Sequence, residues 1–226
     1  MTELVLMRHA QPEWVKDERA IVNPPLTELG QTQAGRLAKA LVDERFDEIF
    51  VSPMQRARQT AAPILEVLGR DEVVEPWLEE IRDPDWHGVP ADRAAKAFKE
   101  LRERPAEAIW DGLDGGEAMS EFVARVRDGA TAFLAERGIR PVPGELPVWE
   151  IDDPQRRIGL VAHAGTNSVV TCHLLGLSPT PWEWDRLVMR HASISRLVAL
   201  PIGNGYVFSL TSLSDVEHLD PDQRTV

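Results

Sequence analysis

Apolar residues in this chain follow two rhythms. Short, nearly continuous runs occur at LVLM (4–7), EIFVSP (48–53), RIGLVAH (157–163), ISRLVAL (194–200) and GYVFSL (205–210). Runs of that length without polar alternation suit strands buried on both faces. Between them the spacing is helical. Ala34, Leu37, Ala38 and Leu41 share one face, with Thr27 placed as N-cap. In 54–69, Ala57, Ala61, Ile64, Leu65 and Leu68 face one way, Gly69 closes the helix, and Pro63 predicts a kink. Residues 91–104 and 117–137 also read as helices, as does AGTNSVVTCHLLGL after the 157–163 run. EVVE (72–75) is a further candidate strand. Residues 76–90, rich in Trp and Pro, read as loop, and 140–155, with four prolines, as a surface excursion. PIGNG (201–205) joins the last two strands as a hairpin, and DPDQRTV (220–226) reads as a frayed end.

Strands alternating with helices predict an α/β fold, a three-layer α/β/α sandwich with a mostly parallel sheet and an edge hairpin. The expected organisation is one domain over 1–226, with 76–156 carrying a helical and loop insertion over the site. Ligands of such sheets bind outside the carboxyl ends of the strands. Here three strands end in reactive residues: Arg8-His9, Ser52 with Arg56 at the next helix start, and His163.

Composition narrows the partners. Of 226 residues, 43% are hydrophobic and 27% charged, as in ordinary globular proteins, and the net charge is −12. That balance speaks against nucleic acid or an anionic membrane as partner, while a few arginines in a cleft still suit a small anionic substrate. The single cysteine, Cys172, and the lack of a leader-like or membrane-length apolar stretch read as cytoplasmic. An edge hairpin leaves room for a homodimer.

Two arginines and two histidines around one point make an anion pocket. Guanidinium forks match phosphate oxygens, and an unprotonated imidazole is able to attack phosphorus. The motifs LVLMRHAQ, NPPLTELGQTQA, VSPMQRARQTA, WLEEI…WHG, GGEAMSEFVARV and LVAHAGTNS, in this order, resemble those of the histidine phosphatase superfamily, with its phosphoglycerate mutase-like fold. The resemblance spans residues 4–200.

It implies His9 as the phosphorylated nucleophile, Arg8 and Arg56 on the phosphoryl oxygens, and His163 as the second pocket histidine. It also implies Glu80 as proton donor, with Glu79 the adjacent alternative, and neither metal nor cofactor. Gln11 is a candidate for the phosphate rim. Thr166 and Asn167, at a helix start, are placed either to bind substrate or to cap the helix. Arg58 is expected to point outward, and Ser52 and Thr60 to cap or pack. His173 and His218 read as structural. His191 and His87 stand as candidates for the periphery of the site, and Trp14 and Trp86 as an apolar wall for the leaving group.

Three positions depart from the family pattern. Ala10 replaces its usual Gly, and Pro12 and Val15 replace the polar residues typical of phosphoglycerate binders. The implied activity is a phosphomonoester hydrolase. The alternatives are a phosphoglycerate mutase or a non-catalytic phosphate-binding module on the same fold.

Overall fold

The first apolar run sets the frame. In the computed structural model, which describes residues 1–226, it forms β1 (Glu3–Arg8), whose four central residues are all buried. Side chains alternate across a strand, and here they divide between two cores. Leu4 and Leu6 join one apolar cluster, Val5 and Met7 the other.

The chain continues through a small ribbon, β2 (Val15–Lys16) and β3 (Arg19–Ala20), then α1 (Glu28–Leu41), β4 (Glu48–Val51) and α2 (Gln55–Leu68). Thr27 caps α1 by accepting from the Gly30 N–H at 2.9 Å, and Gly69 ends α2 in the left-handed conformation. Leu37 and Leu41 of α1 and Ala57 and Ile64 of α2 pack against Val5 and Met7. Pro63 is accommodated inside α2, which remains one helix. Next come α3 (Ala91–Arg102) and α4 (Met119–Ala135), then β5 (Ile139–Pro141), β6 (Trp149–Ile151) and β7 (Arg157–Ala162). The chain ends with α5 (Ala164–Leu174), the short α6 (Glu183–Arg186), β8 (Ile194–Ile202) and β9 (Gly205–Asp215). Phe122, Val126 and Phe133 of α4 and Val169 and Val170 of α5 cover the Leu4 and Leu6 face. The result is the expected three layers.

The sheet order is β4-β7-β1-β8-β9-β6-β5. β1 and β4 both pair parallel with β7, and the remaining pairings are antiparallel. Five of the seven strands therefore run in one sense, with β8 and β6 reversed. Arg8 pairs with Ala162, and Val51 with Val161. Hence His9, Ser52 and His163 each lie one step past three adjacent strand ends.

Four local expectations fail, each for a physical reason. EVVE makes a single bridge, Val51 to Val74, and both its valines are exposed. The 140–155 excursion holds β5 and β6, which extend the sheet beyond β9; prolines are tolerated on edge strands. The β8–β9 hairpin is therefore not the last edge, although β9 meets β6 only at Tyr206. The C-terminal residues are docked, not frayed: Gln33 Nε2 donates to the Gln223 carbonyl at 2.7 Å and to Thr225 Oγ1 at 3.0 Å.

The ribbon turns through Asp17 and Glu18, both at positive φ, as a two-residue hairpin with a right-handed twist requires. It docks on the approach to α3, with Ala20 N–H donating to Val89 O at 2.8 Å and Ala91 N–H to Glu18 O at 2.9 Å. α3 buries only Leu101 and stands off the core, over the carboxyl ends of the strands.

Candidate active site

His9 leaves β1 almost fully buried, at 3% exposure. Its Nδ1 lies 2.8 Å from the Ala10 carbonyl, which only accepts, so Nδ1 carries the hydrogen. Nε2 then holds the lone pair, and Arg56 Nε donates to it at 3.3 Å. Thr60 ties this turn to α2, its hydroxyl accepting from Ala10 N–H at 2.9 Å and donating to Arg56 O at 2.7 Å.

His163 occupies the N-cap position of α5, its ring centroid 5.1 Å from that of His9. Ser52 Oγ lies 2.7 Å from His163 Nε2 and accepts from Met54 N–H. With that hydroxyl donating to Nε2, Nδ1 is assigned as the N–H. Arg8 donates to Met189 O and, at 3.1 Å, to His191 Nε2; His191 Nδ1 in turn lies 2.9 Å from Thr225 Oγ1. His191 thus braces Arg8 from behind. Three buried donors in this group have no partner: Arg8 Nε, Arg56 Nη1 and His163 Nδ1. Orphaned buried donors are costly, so their grouping marks a seat for an anion.

Burial, followed by the charge of Arg56, holds the His9 and His163 imidazoles well below the usual histidine range, so both are neutral. Burial pushes His191 down to about 3, with Arg8 and Arg56 adding to it. The same desolvation draws the Arg8 and Arg56 guanidiniums to about 10, which leaves both charged at neutral pH.

The two neighbouring glutamates point in different directions. Glu79 points outward into an ion pair with Arg82, whereas Glu80 turns inward and lines the same cleft as Arg8 and Arg56. Its Oε2 accepts from Gly165 N–H at 2.8 Å and its Oε1 from Ile81 N–H at 3.1 Å. A Cβ on Gly165 would sit 2.5 Å from Glu80 Oε1, so only glycine permits this contact. Burial raises the Glu80 carboxyl above the usual range, against the pull of those two N–H groups and the two arginines. The Glu79–Glu80 backbone is clamped by Arg125, which donates to both carbonyls at 3.1 and 3.2 Å. Glu117 holds Arg125 by two bonds, at 2.8 and 2.9 Å.

The structure thus brings together His9, His163, Arg8, Arg56 and Glu80. Gln11 goes elsewhere: its carbonyl and side-chain oxygens accept from Thr27 at the start of α1. Thr166 is fully buried and directs its hydroxyl to Glu79 O and Glu80 Oε1, at 3.3 and 3.4 Å, so it bears on the carboxyl and not on the anion seat. Arg58 pairs outward with Glu72, His173 lies 2.9 Å from Thr131 Oγ1, and His87 is exposed.

The sequence alone points to Ser52 only as a residue that caps or packs, and to no role for Asp83, Trp182, Trp184 or the Glu117–Arg125 pair. The one available signal for that pair was the GGEAMSEFVARV motif itself. The cleft measures about 620 Å³ and is walled by Trp14, Phe98, Trp182 and Trp184. The Trp14 ring lies over Arg56, its centroid 4.7 Å from Cζ. Trp86 stands one layer back, packed edge-on against Phe98. No cluster of three or more His, Cys, Asp or Glu has metal-binding geometry, and no helix is long and apolar enough to cross a membrane.

Known proteins share this architecture. The family model of the histidine phosphatase superfamily (branch 1) matches residues 4–207. Phosphoserine phosphatase 1 of Hydrogenobacter thermophilus is 32% identical over 180 residues, 78% of each chain. The Photorhabdus laumondii protein named "Probable phosphoglycerate mutase GpmB" is 29% identical over 97% of this chain and 96% of its own. Among solved structures, a mycobacterial glucosyl-3-phosphoglycerate phosphatase superposes with a TM-score of 0.71 at 26% identity, over 95% of this chain and 99% of that one. The chain belongs to branch 1 of the histidine phosphatase superfamily.

Proposed function

We propose that this protein hydrolyses small phosphomonoesters through a phosphohistidine on His9. The observation that carries the reading is the lone-pair Nε2 of a neutral His9 set among three unpartnered buried donors, with a protonatable carboxyl in the same cleft. The phosphoryl group sits on Arg8, Arg56 and His163, whose N–H groups meet its oxygens as charge builds there. His9 Nε2 attacks phosphorus, and the bond to the leaving alcohol breaks. The Glu80 carboxyl gives that alcohol its proton, and the burial that raises it favours the protonated form this step needs. The resulting Glu80 carboxylate then takes a proton from water as it attacks the phosphohistidine, releasing phosphate and restoring both groups.

The whole chain 1–226 is read as one catalytic domain. Within the 76–156 segment, α3 and the loops on either side cover the cleft, while β5 and β6 lie on the far sheet edge. The buried thiol of Cys172 accords with a reducing, cytoplasmic setting.

Turnover of an aryl phosphate tests the reading. The wild type is expected to hydrolyse it and to trap label on His9 after acid-free quenching. His9→Ala is expected to be inactive, and Glu80→Gln to lose about 10²–10⁴-fold in kcat. An inactive wild type overturns the proposal in favour of a binding module. Interconversion of phosphoglycerates that depends on a bisphosphorylated primer turns it to the mutase. Pro12 and Val15 speak against that outcome: Pro12 only bridges Leu26, and Val15 is exposed on the ribbon, so neither offers a polar side chain to a phosphoglycerate.

A further inference from the structure

Beyond the two arginines the cleft reverses its chemistry. Asp83 lines it, half-buried, three residues past Glu80. No hydrogen bond acts on this carboxyl; it feels burial first, then the like charge of Glu80, offset in part by the charge of Arg56. The other carboxylates that line the cleft, and Glu79 beside them, are engaged. Glu79 pairs with Arg82, Glu80 accepts from two N–H groups, and Asp185, which also lines the cleft, pairs with Arg102 at 2.9 Å. Asp83 is thus the cleft carboxylate without a partner. The walls of the same cleft include the aromatic rings of Trp14, Phe98, Trp182 and Trp184, the first of them lying over Arg56.

A partly desolvated carboxylate among aromatic faces attracts cations, because the ring quadrupoles and the anion act in the same sense. A leaving group carrying a carboxylate would meet repulsion there instead. A neutral hydroxyl would gain one hydrogen bond from Asp83 but nothing from the rings.

We propose that Asp83 is a specificity-determining residue that selects phosphomonoesters whose alcohol portion carries an ammonium group and no carboxylate. The inference rests on the phosphatase reading of the same cleft. In it the phosphoryl dianion lies on Arg8 and Arg56, and the ammonium lies against Asp83 and the aromatic wall. Substrate and site are then complementary dipoles, and orientation follows from charge alone.

Three aryl phosphates differing only at the end of a two-carbon para substituent test this: tyramine O-phosphate, 4-ethylphenyl phosphate and the O-phosphate of 3-(4-hydroxyphenyl)propanoic acid. The varied group is insulated from the ring, so the leaving phenols are similar and kcat/KM reports recognition. The wild type is expected to prefer the ammonium substrate to the neutral one by about tenfold or more, and the neutral one to the carboxylate by a similar factor. Asp83→Asn keeps the shape and is expected to bring both ratios close to one. Any change it causes through Glu80 falls on all three substrates alike and cancels in the ratios. Hydrolysis of all three without charge preference, or a preference that survives in Asp83→Asn, overturns the role of Asp83 and leaves the phosphatase reading standing. Hydrolysis of none overturns that reading, and this one with it.

Discussion

At the scale of single residues, the site works through what each polar atom is denied or given. The Ala10 carbonyl gives His9 its tautomer, and burial among arginines denies it a proton. Gly165 matters for what it lacks. Gly165→Ala would drive a methyl into Glu80 Oε1 and remove the geometry that holds the carboxyl. The expected outcome is a fall in kcat of about 10- to 100-fold with little change in the affinity for inorganic phosphate. Steady-state kinetics with phosphate as competitive inhibitor separates the two effects. Much of this scale was legible beforehand. Arg8, His9, Arg56 and His163 stand at strand ends and helix starts, and Glu80 stands in a loop but within the WLEEI motif. Asp83 was not legible, because an unpartnered carboxylate in a loop leaves no periodic trace. Gln11 misled because adjacency in sequence to His9 does not fix side-chain direction: one residue past Ala10 the chain has already turned toward α1.

Among elements, the loop bearing Glu80 has no regular structure of its own beyond one 3-10 turn at Pro76–Leu78, so its shape is imposed from α4. Arg125, anchored by Glu117, does this by gripping two loop carbonyls. Arg125→Met keeps the length of the side chain but strands a mostly buried Glu117 carboxylate. It is expected to cost about 3 kcal/mol in stability and at least tenfold in kcat. Chemical denaturation and turnover measured on the same preparation check both. The helices at 91–102 and 119–135 follow from apolar spacing alone, whereas β5 and β6 do not. The prolines in and around them signal loop, and only their pairing beyond β9, with Pro141 on the edge strand β5, makes them strands, which a local reading does not see.

For the molecule as a whole, buried neutral histidines make stability depend on pH. His173 and His191 sit at about 4 and about 3 in the fold against an ordinary 6.5, and His9 and His163 shift the same way. A depressed histidine means that below pH 6.5 the unfolded chain binds protons that the fold refuses, so stability falls on acidification. From neutrality to pH 5 each of the two with stated values costs about 2 kcal/mol. Asp83, raised to about 6, opposes this by about 1 kcal/mol, and Glu80 also opposes it. Scanning calorimetry is expected to show Tm lower by roughly 10 °C at pH 5 than at pH 7.5. An unchanged Tm would mean that these rings are not held neutral.

The place of β7 between β1 and β4 also bears on synthesis. The ribosome releases β1 and β4 early, yet the strand that joins them emerges only after the whole cover segment. Until then β1 and β4 lack the strand that joins them, and long-range pairings of this kind form slowly. His9 leaves the ribosome well before His163 and Gly165, which lie more than 150 residues further along. A nascent fragment therefore carries His9 without His163 or the glycine whose N–H holds the Glu80 carboxyl. The group of polar side chains at these strand ends is thus completed only once β7 and the start of α5 have been made.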